Sequence, residues 1–252
     1  MEEKRLPWPR PFTSALTKRE AAMVLAYLPL HLFLLPYVFN RLYESGVLDT
    51  AGANVIYYSL GFVWMLFTAL CFLRRDFDAL IDAPLRCLGE VLGGYGLMLC
   101  CNFAVGLLFL YLLSMPGGNP NNQAVAEAAG VAGASGAAAG AGVSMTGSRA
   151  IKAVIVLFGP VVEELLFRAG IFGLLRQRNR RAAYIVSALC FAIAHVAPYA
   201  AQSPMNWLYL VQYIPVALLL ARCYERSNCI WCSIFFHMLN NGVALKALSL
   251  LM

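Results

Sequence analysis

From Ala182 to Ala221 the chain runs without a single Asp, Glu, Lys or Arg. A water-facing surface of that length cannot be built without charge. One crossing of a hydrocarbon core of about 30 Å takes only about 20 helical residues. The stretch therefore reads as two crossings, about Ala182 to Ala197 and about Met205 to Ala221, with Pro198 and Pro204 bracketing the break. The same criterion picks out further runs at about Ala21 to Phe39, Ala51 to Leu73 and Val91 to Leu113. Two more apolar runs, about Ala150 to Leu175 and about Cys229 to Leu250, are long enough to span, although the first contains Glu163, Glu164 and Arg168. Over 252 residues the chain is 61% hydrophobic and 13% charged, with mean hydropathy +0.68. Ordinary soluble domains hold about 45–50% apolar and about 25% charged residues. Disorder, a coiled coil and a typical soluble enzyme are excluded. The expected fold is all-α: a polytopic membrane bundle of about seven transmembrane helices.

The runs divide the chain into an N-terminal arm (1–20), three transmembrane helices (21–116), a Gly/Ala-rich loop (117–148) and a core of four transmembrane helices (149–252). The loop is the one place for an eighth crossing; a short helix over Asn122–Gly130, lying over the site, is its alternative reading. No cleavable signal peptide is expected ahead of the first span. Basic residues cluster in alternate connections: Lys18 and Arg19, then Arg74, Arg75 and Arg86, then Arg176 to Arg181, then Arg222 and Arg226. The intervening connections are poor in them. Lys and Arg are retained on the cytoplasmic side, so the arm is expected in the cytoplasm and the C-terminus outside. The net charge of +6 is dispersed, and no nucleic-acid partner is indicated. The eight cysteines lie mostly within or beside apolar runs. The only CxxC is Cys229–Cys232, with no second pair at metal spacing. They read as small apolar residues, and neither a metal nor a cofactor is expected.

Ionisable groups inside membrane spans are costly and usually functional. Here they are Glu163, Glu164 and Arg168 in the fourth span, His195 in the fifth, and His237 with Asn241 in the seventh. His31, in the first span, reads as a satisfied core histidine. Counted from the basic ends at about 1.5 Å per residue, Glu163, His195, His237 and Asn241 lie roughly 16–23 Å deep, in one layer. Glu164 and Arg168, four apart, share a helix face and can pair. Glu163 sits about 100° round the helix, able to face a cavity. Phe191 precedes His195 by one turn and can wall the same side. A glutamate, two histidines and an amide below the water surface suit water activation and oxyanion stabilisation without a nucleophilic residue. The alternative is a buried polar network that only ties helices together.

Glu163-Glu164-Leu-Leu-Phe-Arg168 fits an EExxxR motif, Phe191-Ala-Ile-Ala-His195 an FxxxH motif and His237-Met-Leu-Asn-Asn241 an HxxxN motif. In this order they resemble the signatures of the CPBP (Abi) family of intramembrane glutamic endopeptidases, which includes the type II CAAX prenyl endopeptidases and bacteriocin-immunity proteins. The resemblance covers roughly Asn122 to Leu245. One departure is Ala169 before Gly170, where many members have Gly directly after the motif Arg. The resemblance implies a helix bundle around a cavity opening towards the cytosol. It implies Glu163 as the base, His195 as its partner on the water, His237 and Asn241 on the oxyanion, and Glu164 and Arg168 as supports. The implied reaction is hydrolysis of a peptide bond in a membrane-associated or lipidated peptide or protein. A metal-dependent membrane protease, with Glu163, His195 and His237 as ligands, and a non-catalytic immunity or scaffold protein are the rivals. Substrate identity and oligomeric state are not fixed by the sequence.

Overall fold

The computed structural model describes residues 12–48, 50–112, 119–129, 145–200 and 203–251. The first eleven residues of the arm, and 130–144 of the Gly/Ala-rich segment, lie outside the described residues. The described chain is a bundle of helices: α1 (Lys18–Glu44), α2 (Thr50–Asp82), α3 (Pro84–Leu107), α4 (Pro120–Ala128), α5 (145–176), α6 (Arg180–Ala200), α7 (Leu210–Ser227) and α8 (Ile230–Leu251). Five helical spans are long and apolar enough to cross a membrane: Lys18–Glu44, Gly52–Asp82, Pro84–Tyr111, Arg180–Ala200 and Pro204–Ser227. The other two long helices, α5 and α8, carry Glu163, Glu164, Arg168, His237 and Asn241. Large side chains such as Phe33, Phe67 and Phe103 stand fully outward, as a lipid-facing surface requires. The charge-free stretch breaks where expected: α6 ends at Ala200, and a 3-10 turn over Pro204–Tyr209 leads into α7.

Two expectations need correction. Pro120–Ala128 forms a helix where the composition predicts loop. Its proline at the first position and the Asn119 side chain, which accepts from the Asn121 N–H at 2.9 Å, start it. α2 and α3 also extend well past the apolar runs, to Asp82 and back to Pro84. Charge marks where hydrocarbon ends, and nothing in Arg74–Asp82 breaks a helix, so the helix continues.

The basic ends of the helices are tied into a closed floor. Asp76 accepts from Ser14 Oγ (2.6 Å) and from the Ile230 N–H (2.5 Å). Arg226 pairs with Glu90 at 2.8 Å, and Glu225 takes both Arg176 and Arg180. The α7–α8 turn is made by Asn228 in the left-handed conformation (φ 55°), which asparagine tolerates. Its Oδ1 accepts from the Thr13 and Ser14 N–H groups, fixing the arm across the floor. Leu166, Phe172, Tyr224 and Ile230, buried between floor and bundle centre, complete the seal.

Two helices carry a π turn directly before a proline, with the same result. In α1 the Leu35 N–H bonds back to Leu30 O, and Pro36 has no N–H, so the His31 carbonyl loses both helical donors. Tyr57 OH donates to it at 2.8 Å, and His31 Nδ1 lies 2.8 Å from the same hydroxyl. One hydroxyl proton serves the carbonyl, so Nδ1–H donates to the hydroxyl oxygen. His31 is thus the satisfied core histidine expected. In α5 the Gly159 N–H bonds back to Val154 O, and Pro160 follows. The freed Ile155 carbonyl accepts from Asn241 Nδ2 of α8 at 3.1 Å.

Candidate functional site

Glu163 and Glu164 occupy the stretch of α5 between two π segments, Val154–Phe158 and Leu165–Phe172. Such segments cluster at functional positions because they re-aim side chains. Close packing holds this stretch against α1: a Cβ on Gly170 would stand 3.1 Å from Leu25 Cδ2 and 3.3 Å from Val24 Cγ1. Ala169 is itself fully buried. The small pair Ala169–Gly170 therefore permits the contact.

The structure brings Glu163, His195, His237 and Phe191 together. Glu163 Oε2 lies 3.5 Å from His195 Nε2 and 3.8 Å from His237 Nε2. It has no direct hydrogen bond among the described residues. His195 Nδ1 lies 2.9 Å from Phe191 O; a carbonyl only accepts, so this nitrogen carries the proton. His237 Nδ1 lies 2.9 Å from Glu164 Oε1, a carboxylate that accepts likewise. Both imidazoles thus turn Nε2 towards Glu163. His195 is clasped between Phe191 (ring centroids 4.3 Å) and Tyr213 (4.8 Å).

Glu164 does more than pair with Arg168. It also accepts from His237 Nδ1 and from Ser233 Oγ. Arg168 Nε is 3.2 Å from Glu164 Oε2, and the guanidinium carbon lies 4.4 Å over the Phe191 ring. Its two terminal nitrogens have no hydrogen-bond partner among the described residues, so the pairing is a single ion contact plus a stack. Phe191 stands between this support and the histidines. Ser233, one turn before His237 on the same face, was legible by spacing but was not singled out.

Glu163, Phe191, His195 and His237 line a cavity of about 600 Å³. Asn241 lies in it, and so do groups the sequence reading passed over: Tyr58, Asn102, Asn121, Gln212 and Tyr213. No motif marks these amides and tyrosines; only the fold collects them. α4 lies over the cavity and is fixed by Tyr213, whose hydroxyl oxygen accepts from Asn119 Nδ2 (3.1 Å) and Asn121 Nδ2 (2.9 Å). Tyr213 therefore touches both the helix over the cavity and the His195 ring. Tyr213→Phe keeps the ring but leaves both amides without that acceptor. Hydrogen exchange across 119–129 should accelerate at least severalfold while α6 stays protected; unchanged exchange there would show that other contacts hold α4.

The cavity opens away from the basic ends. Its lining runs from Glu163 to Asn54 near the start of α2, Asn102 late in α3, Tyr199 late in α6 and Ala247 late in α8. On the other side of Glu163 stands the sealed floor. The lining therefore extends towards the charge-poor ends of the helices.

Residues 147–243 match the family described as Rce1-like, type II CAAX prenyl endopeptidase. All three motifs fall inside that segment, and the resemblance read from them is borne out. UPF0177 protein YxdF of Lactococcus lactis subsp. lactis (strain IL1403) is 30% identical over 77 residues, 31% of this chain. The match spans 38% of that relative's own length. No solved structure matches. The five apolar spans and the match together describe an integral membrane protein in which residues 147–243 are similar to a protease family.

Proposed function

From a chain whose residues 147–243 match the Rce1-like type II CAAX prenyl endopeptidase family, we propose an intramembrane endopeptidase that hydrolyses a peptide bond through a water activated by Glu163. The observation that carries this reading is the approach of Glu163 Oε2 to His195 Nε2 and His237 Nε2 at 3.5 and 3.8 Å. These separations are wider than a hydrogen bond and fit groups that share a water. His195, protonated at Nδ1, offers the Nε2 lone pair to one water proton, and Glu163 takes the other. The hydroxide so formed attacks the scissile carbonyl carbon. Glu164 holds His237 through Nδ1, so that a proton carried on Nε2 faces the oxyanion. Asn241 retains one amide N–H beyond its bond to Ile155 O and adds to that stabilisation. Collapse of the tetrahedral species breaks the C–N bond. Glu163 returns its proton to the leaving amine, giving a new carboxyl and a new amino terminus.

The substrate is a peptide or protein segment at the membrane, held through its backbone. Amide and phenol groups dominate the polar lining, and these read main-chain N–H and C=O without demanding charged side chains. Entry is from the charge-poor face, which the retention of Lys and Arg in the cytoplasm places outside it. Ala124→Cys, on α4 in the cavity wall, tests this. In intact cells a membrane-impermeant maleimide should label it above the parent protein. Labelling confined to inverted vesicles would reverse the entry side.

Cleavage of a peptide library by the detergent-purified full chain, with Glu163→Gln in parallel, tests the function. Discrete cleavage products absent from the variant support it. No cleavage by a folded protein across a broad library would favour the non-catalytic rival.

A further inference from the structure

Three cysteines from two helices converge in the floor of the bundle. Cys229 and Cys232 stand at the start of α8, and Cys87 lies in the first turn of α3. All are buried: Cys87 is 3% exposed, the other two 0%. Their sulfur atoms lie within 4.8 Å of one another. The sequence offers one CxxC and no second pair; the fold supplies the third sulfur from a helix about 140 residues away in the chain. None of the three belongs to the cavity or to the network around Glu164.

We propose that Cys87, Cys229 and Cys232 form a binding site for a soft or borderline metal cation of the zinc class. Three observations support it. The sulfurs are mutually close enough to meet at one ion with small side-chain rotations, since zinc–sulfur bonds are about 2.3 Å. Two of the thiols form a CxxC spanning one helical turn, the spacing that lets both reach one ion. Cys229 directly precedes α8, and Cys232 and Cys87 lie in the first turns of α8 and α3, so two helix N-termini lie near the thiolates that binding creates. Asp76 Oδ2 accepts from Ser14 Oγ and from the Ile230 N–H, while the Asp76 backbone carbonyl accepts from Cys229 Sγ at 3.3 Å. Binding exchanges up to three thiol protons for one divalent ion, and the protons leave to solvent. A site here clamps the α7–α8 turn to the start of α3, and through Asp76 to α2 and the arm. It lies at the end of the molecule opposite the cavity, with three of the four positions that zinc takes supplied by sulfur.

The test uses detergent-purified full chain, reduced and stripped of metal, titrated with Co²⁺. One equivalent should bind, with thiolate-to-metal charge-transfer absorption in the near ultraviolet and ligand-field bands in the visible, both abolished by Zn²⁺. Cys232→Ser and Cys87→Ala should each lose the charge-transfer band, while Cys100→Ser, at an exposed lipid-facing position, should keep it. Because buried variants can misfold, the wild-type titration stands as the primary reading. Absence of a charge-transfer band from protein whose thiols are shown by alkylation to be free and reduced would overturn the proposal. A Cys229–Cys232 disulfide, found by mass spectrometry in protein purified under reducing conditions, would overturn it equally. Neither outcome bears on Glu163, because the readout needs no peptidase activity.

Discussion

Glu163→Gln is expected to lower turnover by about 10²–10⁴-fold, the contribution of a positioned general base, while substrate affinity changes little. The amide has the shape of the carboxylate but cannot take a proton. Glu163 Oε2 has no direct hydrogen bond among the described residues, so an amide there displaces no such bond. Single-turnover cleavage of a peptide identified from the library, together with binding of the same peptide, separates the two quantities. Equal losses in binding and turnover would make Glu163 a substrate-holding group. The metal-dependent rival predicts something else: activity lost to a chelator, restored by zinc, and a bound ion missing from Glu163→Gln but present in Cys232→Ser. That pattern would recast Glu163, His195 and His237 as ligands.

Arg168→Ala should destabilise the protein by about 3–5 kcal/mol, the usual result of removing one partner of a buried ion pair. Arg168 and Glu164 are both fully buried. His237 and Ser233 still bond to the stranded carboxylate, which places the effect towards the lower end. Arg168→Lys should recover little. An ammonium reproduces neither the Nε contact nor the planar stack on Phe191. Folded yield and the thermal midpoint in detergent, compared at matched detergent and lipid, measure the loss. An Arg168→Ala protein that folds at wild-type yield with a wild-type midpoint but fails to cleave would move Arg168 from support to the substrate site.

Much of the architecture was legible because hydrocarbon imposes a simple test. Charge-free length located the five apolar spans, and the prolines at 198 and 204 bracket the break in the longest run. Helix ends were not legible by the same means. α2 passes Leu73 without interruption because the membrane boundary and the helix boundary are different physical events. The motif residues were found because charge inside a span is rare. Tyr58, Asn102, Gln212 and Tyr213 were missed for the converse reason: uncharged polar residues in spans are common, and only packing distinguishes those that line a cavity. α4 was obscured by the small residues around it, although Asn119 and Pro120 form a recognisable start. The direction of the cavity could not come from counting along single helices, since it depends on which end of the bundle is packed shut. Glu164 was expected to serve Arg168; that it also binds His237 and Ser233 is a relation between helices, which spacing along one helix does not contain.

The proline that follows each π turn also has a bearing on biogenesis. When α5 enters the bilayer, Pro160 leaves the Ile155 carbonyl without a helical donor in a medium that supplies none. The donor that answers it, Asn241, is on α8 and is synthesised about 80 residues later. With the π turn in place, α5 meets that need only once α8 has docked. The same bond that positions Asn241 beside the cavity thus couples assembly of the site to completion of the α5 backbone's own hydrogen bonding.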